Sequence, residues 1–251
     1  MGIRHPLGEI IYRVSDPEWV ASHALRQVTT AYDLVSPSDF SKLYRRVRNI
    51  TMCSNARLRG LHRAIRHVVA DRVPGAVVEC GTARGGSAAL MALTLKQLGD
   101  TERPVWVFDT FEGIPAPTPE DPDCEIAELY TGAFVGTIEE VSTSFRRLEI
   151  LPQTRLIKGL FDDTLRSANV GPIAVLHIDG DWYASVKTCL ENLYDRVVEG
   201  GVIQFDDYGY WQGARKAVDE FLANRSISPR LERLDYSGRQ LIKCSDTAGT
   251  M

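Results

Sequence analysis

Between about Pro17 and Arg72 apolar residues recur at helical spacing and strand-like runs are missing. The pattern predicts one helix near Trp19 to Tyr32, a second after Ser36-Pro37, and a third whose apolar face is Leu58, Leu61, Ile65, Val68 and Val69. Residues 1–73 are therefore expected to form a helical extension capping one end of a sheet. After Pro74-Gly75 short apolar runs alternate with amphipathic helices, the sign of a doubly wound parallel sheet, and residues 74–251 are expected to fold as one compact unit. The runs are Ala76 to Cys80, Val105 to Phe108, Arg155 to Lys158, Ile173 to Ile178 and Val202 to Phe205.

Between the last two runs Val186, Leu190, Leu193 and Val197 share a helical face, and Gly200-Gly201 is expected to stop that helix. A further helix carries Ala214, Ala217, Val218, Phe221 and Leu222. Arg230 to Leu234 and Gln240 to Lys243 flank the turn Tyr236-Ser237-Gly238 and predict a closing antiparallel hairpin. The fold class is thus α/β, a Rossmann-like, mostly parallel sheet with a C-terminal antiparallel hairpin and an N-terminal helical cap. Glu112 to Gly136 departs from the pattern: with Pro115, Pro117, Pro119 and Pro122 it reads as a long loop, either an active-site lid or an inert insertion.

Composition narrows the partners. The chain has 251 residues, of which 44% are hydrophobic and 25% charged, which is globular usage and excludes disorder and fibres. A net charge of -4 gives no general attraction to nucleic acid or an anionic membrane, so a small-molecule substrate fits better. Met1 to Val14 contains no apolar run of the length of a signal peptide or membrane span, and Pro6 stands where a myristoylation motif wants Ser or Thr; a cytoplasmic location is expected. The five cysteines, Cys53, Cys80, Cys124, Cys189 and Cys244, are widely spaced with no C-x-x-C pair, so reduced thiols are expected.

The candidate chemistry lies at strand ends. Glu79-Cys80-Gly81-Thr82-Ala83-Arg84-Gly85-Gly86 leaves the first strand and opens a helix, where glycines allow close approach to a ligand. A dinucleotide fingerprint would need glycines where Glu79 and Arg84 stand, which disfavours a nicotinamide cofactor. Glu79 suits the ammonium and sulfonium of S-adenosylmethionine; the alternatives are a pair with Arg84 or a helix cap. Asp109, at the tip of the second strand, is placed to accept from ribose hydroxyls or else to cap its loop.

The fourth strand runs into His177-Ile178-Asp179-Gly180-Asp181, and the fifth into Asp206-Asp207-Tyr208. Adjacent strands would bring Asp179, Asp206 and Asp207 together, and three converging carboxylates repel one another unless a cation is present. An oxygen-only set suits a hard ion such as magnesium. His177 reads as a core histidine, with general base or ligand as the alternative; Asp181 reads as a partner of Tyr183, with ligand or helix cap as alternatives.

Together these motifs resemble the macrocin O-methyltransferase family, which also contains mycinamicin and novobiocin sugar O-methyltransferases. The resemblance runs from about Thr51 to Lys243 and rests on Thr51-Met52, Glu79-Cys80-Gly81 with Arg84-Gly85-Gly86, Asp109 to Gly113, Phe161-x-Asp163-Thr164, Ile178 to Asp181 with Tyr183, and Asp206-Asp207-Tyr208. It implies a class I methyltransferase fold and S-adenosylmethionine bound by Thr51, Met52, Glu79, Cys80, Gly81, Thr82, Ala83, Asp109, Thr110, Phe111, Glu112 and Gly113, with Asp162 and Asp163 near the adenine. It implies magnesium on Asp179, Asp206 and Asp207, Asp179 as ligand and proton acceptor together, and a sugar hydroxyl of a glycosylated natural product as acceptor. The expected partners are that acceptor and a second copy of the chain in a homo-oligomer. Methylation of a phenol or catechol, and a non-catalytic nucleotide-binding module, are the competing readings.

Overall fold

In the computed structural model residues 16–244 are described. The sequence statements about the N-terminal Met1 to Val14 stretch lie outside them. Five short runs rich in branched residues form the parallel strands β1 (Ala76–Cys80), β2 (Val105–Asp109), β3 (Thr154–Lys158), β4 (Ile173–Ile178) and β5 (Val197–Phe205). The sheet is seven-stranded, in the order β3-β2-β1-β4-β5-β7-β6, and its last two members, β6 (Glu232–Arg233) and β7 (Arg239–Ile242), run antiparallel. The expected Rossmann-like α/β class is the one observed.

Alternate side chains along each strand enter two different cores, as a pleat requires. Val77, Val105, Val107, Val175 and Val202 face α2 (Asp39–Val47), α3 (Asn55–Ala70), α4 (Gly86–Gln97) and α6 (Ile138–Arg147). Val78, Phe108, Leu176, Ile178 and Ile203 face α8 (Tyr183–Leu193) and α9 (Gln212–Asn224), with Phe161 of the short helix α7 (Phe161–Thr164) packed against the same core. Helix α4 is apolar nearly all round because it lies between the sheet and α2 and α3. The face Leu58, Leu61, Ile65 and Val68 is fully buried, and α3 packs on the sheet beside β4 and β5. Helix α1 (Pro17–Val35) stands largely outside the core, with Asp33 its single buried residue. That carboxylate accepts from Ser41 Oγ at 2.7 Å and Asn55 Nδ2 at 2.7 Å and pairs with Arg59, which fixes α1 against α2 and α3.

Two boundaries differ from the sequence pattern. Helix α8 ends at Leu193 and a tight turn over Tyr194–Arg196 follows, so Val197 begins β5 and does not belong to the helix. Gly200-Gly201 therefore lies inside a strand. Ile173 pairs with Val197 and Val175 with Val202, so β5 bulges between these pairs, with Gly200 at φ 76°. The hairpin forms as expected but β6 is shorter than Arg230 to Leu234, and Asp235 Oδ1 holds the turn by accepting from Ser237 N at 2.9 Å and Gly238 N at 2.6 Å.

The long loop carries structure of its own. Within Glu112 to Gly136 a short helix α5 (Cys124–Ala127) leads into a turn at Glu128–Tyr130. Asp121, only 2% exposed, accepts from Thr118 N at 2.9 Å and from Tyr183 N, the first residue of α8, at 2.7 Å. Trp182 Nε1 donates to Pro115 O at 2.7 Å. The segment is thus tied at two points to the strand ends it covers.

Candidate active site

The carboxyl ends of the parallel strands are level with one another. Gly159 N donates to Asp109 O at 3.0 Å, Gly81 N to Phe108 O at 2.8 Å, Asp179 N to Cys80 O at 2.8 Å and Asp206 N to Ile178 O at 2.9 Å. Each residue that follows a strand is therefore held in one row above the sheet, where open α/β folds bind ligands. Above that row lies a cavity of about 710 Å³.

One wall is the loop from β1 to α4. Gly81 has φ 87°, and a Cβ there would fall 1.8 Å from Asp179 O, so only glycine permits β1 and β4 to end this close. A Cβ on Gly86 would meet Thr51 Cα at 2.4 Å, which shows how tightly the Thr51-Met52 segment lies on the start of α4. Asp109 organises this wall: its Oδ2 accepts from Thr82 N at 2.6 Å and Ala83 N at 3.1 Å, and its Oδ1 from Phe111 N at 2.6 Å. Burial pushes its pKa above the ordinary value and the three backbone N–H groups oppose that shift.

Of the residues singled out for S-adenosylmethionine, Met52, Gly81, Thr82, Ala83, Asp109, Thr110, Gly113 and Asp162 line the cavity. Asp162 also accepts from Thr188 Oγ1 at 2.9 Å. The others do not line it. Thr51 contributes through its backbone position against Gly86. Cys80 and Phe111 are buried in the two cores, Asp163 is exposed, and Glu112 pairs outside with Lys158 Nζ at 2.8 Å. Glu79 also differs from the expectation. It is fully buried beneath the loop, takes Thr82 Oγ1 at 2.5 Å and His177 Nδ1 at 2.9 Å, and makes no pair with Arg84. Its carboxylate serves the protein interior because two donors already claim it there.

The acidic residues gather at the ends of β4 and β5, in two overlapping sets. Ligand atoms of Asp179, Asp181 and Asp207 lie within 4.8 Å of one another, and so do those of Cys53, His177, Asp179 and Asp206. Asp179 belongs to both. Asp206 also faces cations of the protein: Arg57 from α3 pairs with it, and His177 Nε2 lies 3.2 Å from its Oδ1. Burial opposes ionisation of Asp206, but Arg57 and His177 outweigh it and hold its pKa below the usual carboxylate value. Burial and then the Asp206 charge push Asp207 up to about 7. Asp179 and Asp181 are raised well above their usual value by burial and then by a neighbouring carboxylate, Asp206 for Asp179 and Asp207 for Asp181.

This is the electrostatic state of carboxylates in want of a cation, and a divalent ion fits the donor set. Asp181 joins that set; its Oδ1 accepts from Trp211 Nε1 at 3.1 Å, whereas Tyr183 bonds Glu220, so the expected Asp181–Tyr183 partnership is not formed. His177 is the core histidine that the pattern favoured: it has no exposed surface, and both ring nitrogens are engaged. Burial disfavours its charge, but the Asp206 and Glu79 carboxylates lift its pKa to about 9. Asp179 contrasts with all of these. It lines the cavity and its carboxylate makes no hydrogen bond among the described residues.

Arg57 and Asp121 were not apparent from the sequence. A count of charge would have pointed to Arg57, since several converging acids call for a cation and Arg57 lies six positions after Thr51. Cys53 is buried 3.9 Å from both Asp206 oxygens, which with burial raises its pKa well above the usual thiol value.

With this geometry in view, the comparisons decide the family. The macrocin-O-methyltransferase (TylF) family model matches residues 40–241. The chain belongs to that family. It is 38% identical, over 75% of its length and 73% of the relative's, to the 8-demethyl-8-(2,3-dimethoxy-alpha-L-rhamnosyl)-tetracenomycin-C 4'-O-methyltransferase of Streptomyces olivaceus. It is 31% identical to the mycinamicin III 3''-O-methyltransferase of Micromonospora griseorubida, over 87% of each chain. Among solved structures, the O-methyltransferase NovP is 34% identical with a TM-score of 0.74, covering 78% of this chain and 82% of that one. The protein is therefore an O-methyltransferase.

Proposed function

We propose that this O-methyltransferase moves the methyl group of S-adenosylmethionine to a sugar hydroxyl of a glycosylated natural product, with magnesium held by Asp179, Asp206 and Asp207. The observation that carries the reading is the sharing of one cavity by the Gly81-to-Ala83 loop and the acidic cluster centred on Asp179. The named activities of the sugar-modifying relatives support the acceptor class.

Met52, Gly81, Thr82 and Ala83 would hold the donor, with Thr110, Gly113 and Asp162 available to its nucleoside. The loop is rigid before binding because Asp109 already holds its N–H groups, so fixing two reactants in line costs less on binding. The bound cation would supply acidification and orientation of the acceptor hydroxyl. Asp179 is the proton acceptor: of the four clustered aspartates it alone has a carboxylate uncommitted to hydrogen bonds, since Asp206 holds Arg57 and His177, Asp207 accepts from Asp181 N, and Asp181 accepts from Trp211. The acceptor oxygen attacks the methyl carbon, the carbon–sulfur bond breaks toward sulfur, and the hydroxyl proton goes to Asp179. The segment pinned by Asp121 covers the site and excludes water.

Among the described residues no helix is long and apolar enough to cross a membrane. A cytoplasmic location fits the five free cysteines. Self-association is supported by the exposed apolar residues Leu25, Val28 and Val35 of α1. The test of the main reading is calorimetry with S-adenosylmethionine followed by transfer of labelled methyl to a panel of glycosides with and without magnesium. Donor binding with magnesium-dependent transfer to a sugar oxygen is expected. Binding of a nicotinamide cofactor in place of the donor would overturn it.

A further inference from the structure

Helix α1 contributes a wall to the cavity that the core of the fold does not require. Its only buried residue is Asp33, yet Trp19, His23 and Arg26 line the cavity. These positions follow the i, i+4, i+7 spacing that puts them on one helical face. The Trp19 and His23 rings are stacked, with centroids 4.0 Å apart and planes at 29°. The guanidinium of Arg26 makes no ion pair or hydrogen bond among the described residues, whereas the other cavity-lining arginine, Arg57, is committed to Asp206 and Asp235. The family model begins at residue 40, so this wall lies outside the matched region while the acidic cluster and the donor loop lie inside it.

Arg26 is exposed at the rim of a cavity otherwise lined by Asp109, Asp162, Asp179, Asp181, Asp206 and Asp207, and none of these carboxylates pairs with it. Beside a stacked aromatic pair it forms a recognition unit for a planar group that carries, or adjoins, a negative charge. His23 is held below its usual pKa by burial and then by the Arg26 charge.

We propose that Trp19, His23 and Arg26 select an acceptor bearing an anionic group beyond its sugar, with a planar ring laid on the aromatic pair and the anion on Arg26. The proposal rests on the sugar-acceptor reading above. Two sources offer this chemistry: a nucleoside diphosphate sugar, or a sugar already attached to an acidic aromatic aglycone. Charge on the acceptor is thus read at α1, and the methyl-transfer machinery at the strand ends is left alone.

The experiment measures binding to the full chain, with magnesium and S-adenosylhomocysteine present, of three probes: thymidine diphosphate-rhamnose, 4-carboxyphenyl α-L-rhamnoside and the neutral 4-carbamoylphenyl α-L-rhamnoside. At least one anionic probe is expected to bind about tenfold more tightly than the amide, the scale of one charge-assisted hydrogen bond. Arg26→Gln should erase that preference and Arg26→Lys should keep part of it. Trp19→Ala should weaken every probe while S-adenosylhomocysteine binding holds. Ala21→Ser, on the exposed outer face of α1, controls for damage to the helix and should change nothing. The nucleotide sugar as the tighter probe means that the free sugar is modified; the carboxyphenyl glycoside as the tighter probe means that the attached sugar is. Equal binding of all three probes, or a preference that survives Arg26→Gln, overturns the proposal and leaves the sugar reading standing. If S-adenosylhomocysteine binds and no glycoside does, the sugar reading itself falls and this proposal falls with it.

Discussion

Replacing Asp109 by alanine tests whether this carboxylate is the organiser of the donor loop. Three backbone N–H groups lose their acceptor at once: Thr82 and Ala83 on the β1 side, Phe111 on the β2 side. Two of these residues, Ala83 at φ 46° and Phe111 at φ 54°, hold left-handed backbone that non-glycine residues adopt only under constraint. Hydrogen bonds to a charged group contribute about 1.5 to 3 kcal/mol each. Water from the cavity can replace part of that, and the cost of burying the Asp109 charge offsets another part. A net loss of about 2 to 4 kcal/mol of stability is the expected result for Asp109→Ala. Asp109→Asn should fall between the wild type and alanine, because its oxygen can keep the Thr82 and Ala83 bonds while its NH2 opposes Phe111 N–H. Urea unfolding followed by circular dichroism measures both. Calorimetry with S-adenosylhomocysteine should show affinity falling with stability, since the loop that touches the donor is the loop that loosens. A loss below about 1 kcal/mol for alanine would refute the reasoning.

Other consequences can be checked directly. Asp179→Asn should abolish turnover, by at least about a hundredfold, while donor binding measured by calorimetry stays close to wild type, since the donor wall is on β1 and β2. Asp207→Asn should weaken magnesium binding, and raised magnesium should restore part of the rate; a rate deficit indifferent to the metal concentration would remove Asp207 from the ligand set. Asp121→Ala should leave the sheet intact but speed proteolysis within Glu112 to Gly136, because the anchor to Tyr183 N is gone. Around His62, which is buried against Thr94 and Phe40 and whose pKa is lowered to about 4 by burial and Arg66, the unfolded chain binds more protons between pH 4 and 6.5. Its contribution to stability is therefore complete above about pH 6.5 and is lost as pH falls toward 4. His62→Gln should flatten a slope that solvent screening keeps below about 1.4 kcal/mol per pH unit in pH-dependent urea unfolding.

The central parallel strands β1 and β4 were legible because each is a short run buried along its whole length, bounded by residues that cannot continue it. Val77 and Val78 go to opposite cores, yet both are apolar, so the run reads as a strand whichever face is counted. The end of α8 was not legible for a related reason. Val197 has the right spacing for the helical face Val186, Leu190 and Leu193, and only pairing with Ile173 assigns it to β5. Gly200-Gly201 carries two meanings, helix stop and strand bulge, and the choice between them depends on the partner strand. The helix within the proline-rich loop was hidden because its stability comes from Asp121 reaching α8, sixty-two residues away in sequence.

The site divides along the same line. Which acids converge follows from strand order, so Asp179, Asp206 and Asp207 could be named from their places at strand ends. What each acid does there depends on side chains that arrive from elsewhere. Arg57 comes from α3, and while it pairs with Asp206 the Asp179 carboxylate stays uncommitted, with Asp181 and Asp207 beside it. Glu79 shows the same dependence in reverse. Its position two before Gly81 suggested the ligand's positive charge, but His177 on the neighbouring strand and Thr82 above it reach the carboxylate first. The glutamate then acts one step removed: it anchors the Thr82 hydroxyl from below while Asp109 holds the Thr82 N–H from the side, so two acids of the strand ends fix the loop between them. Positions that follow from backbone topology can thus be read in one dimension, whereas roles assigned by competition among donors require the folded neighbours.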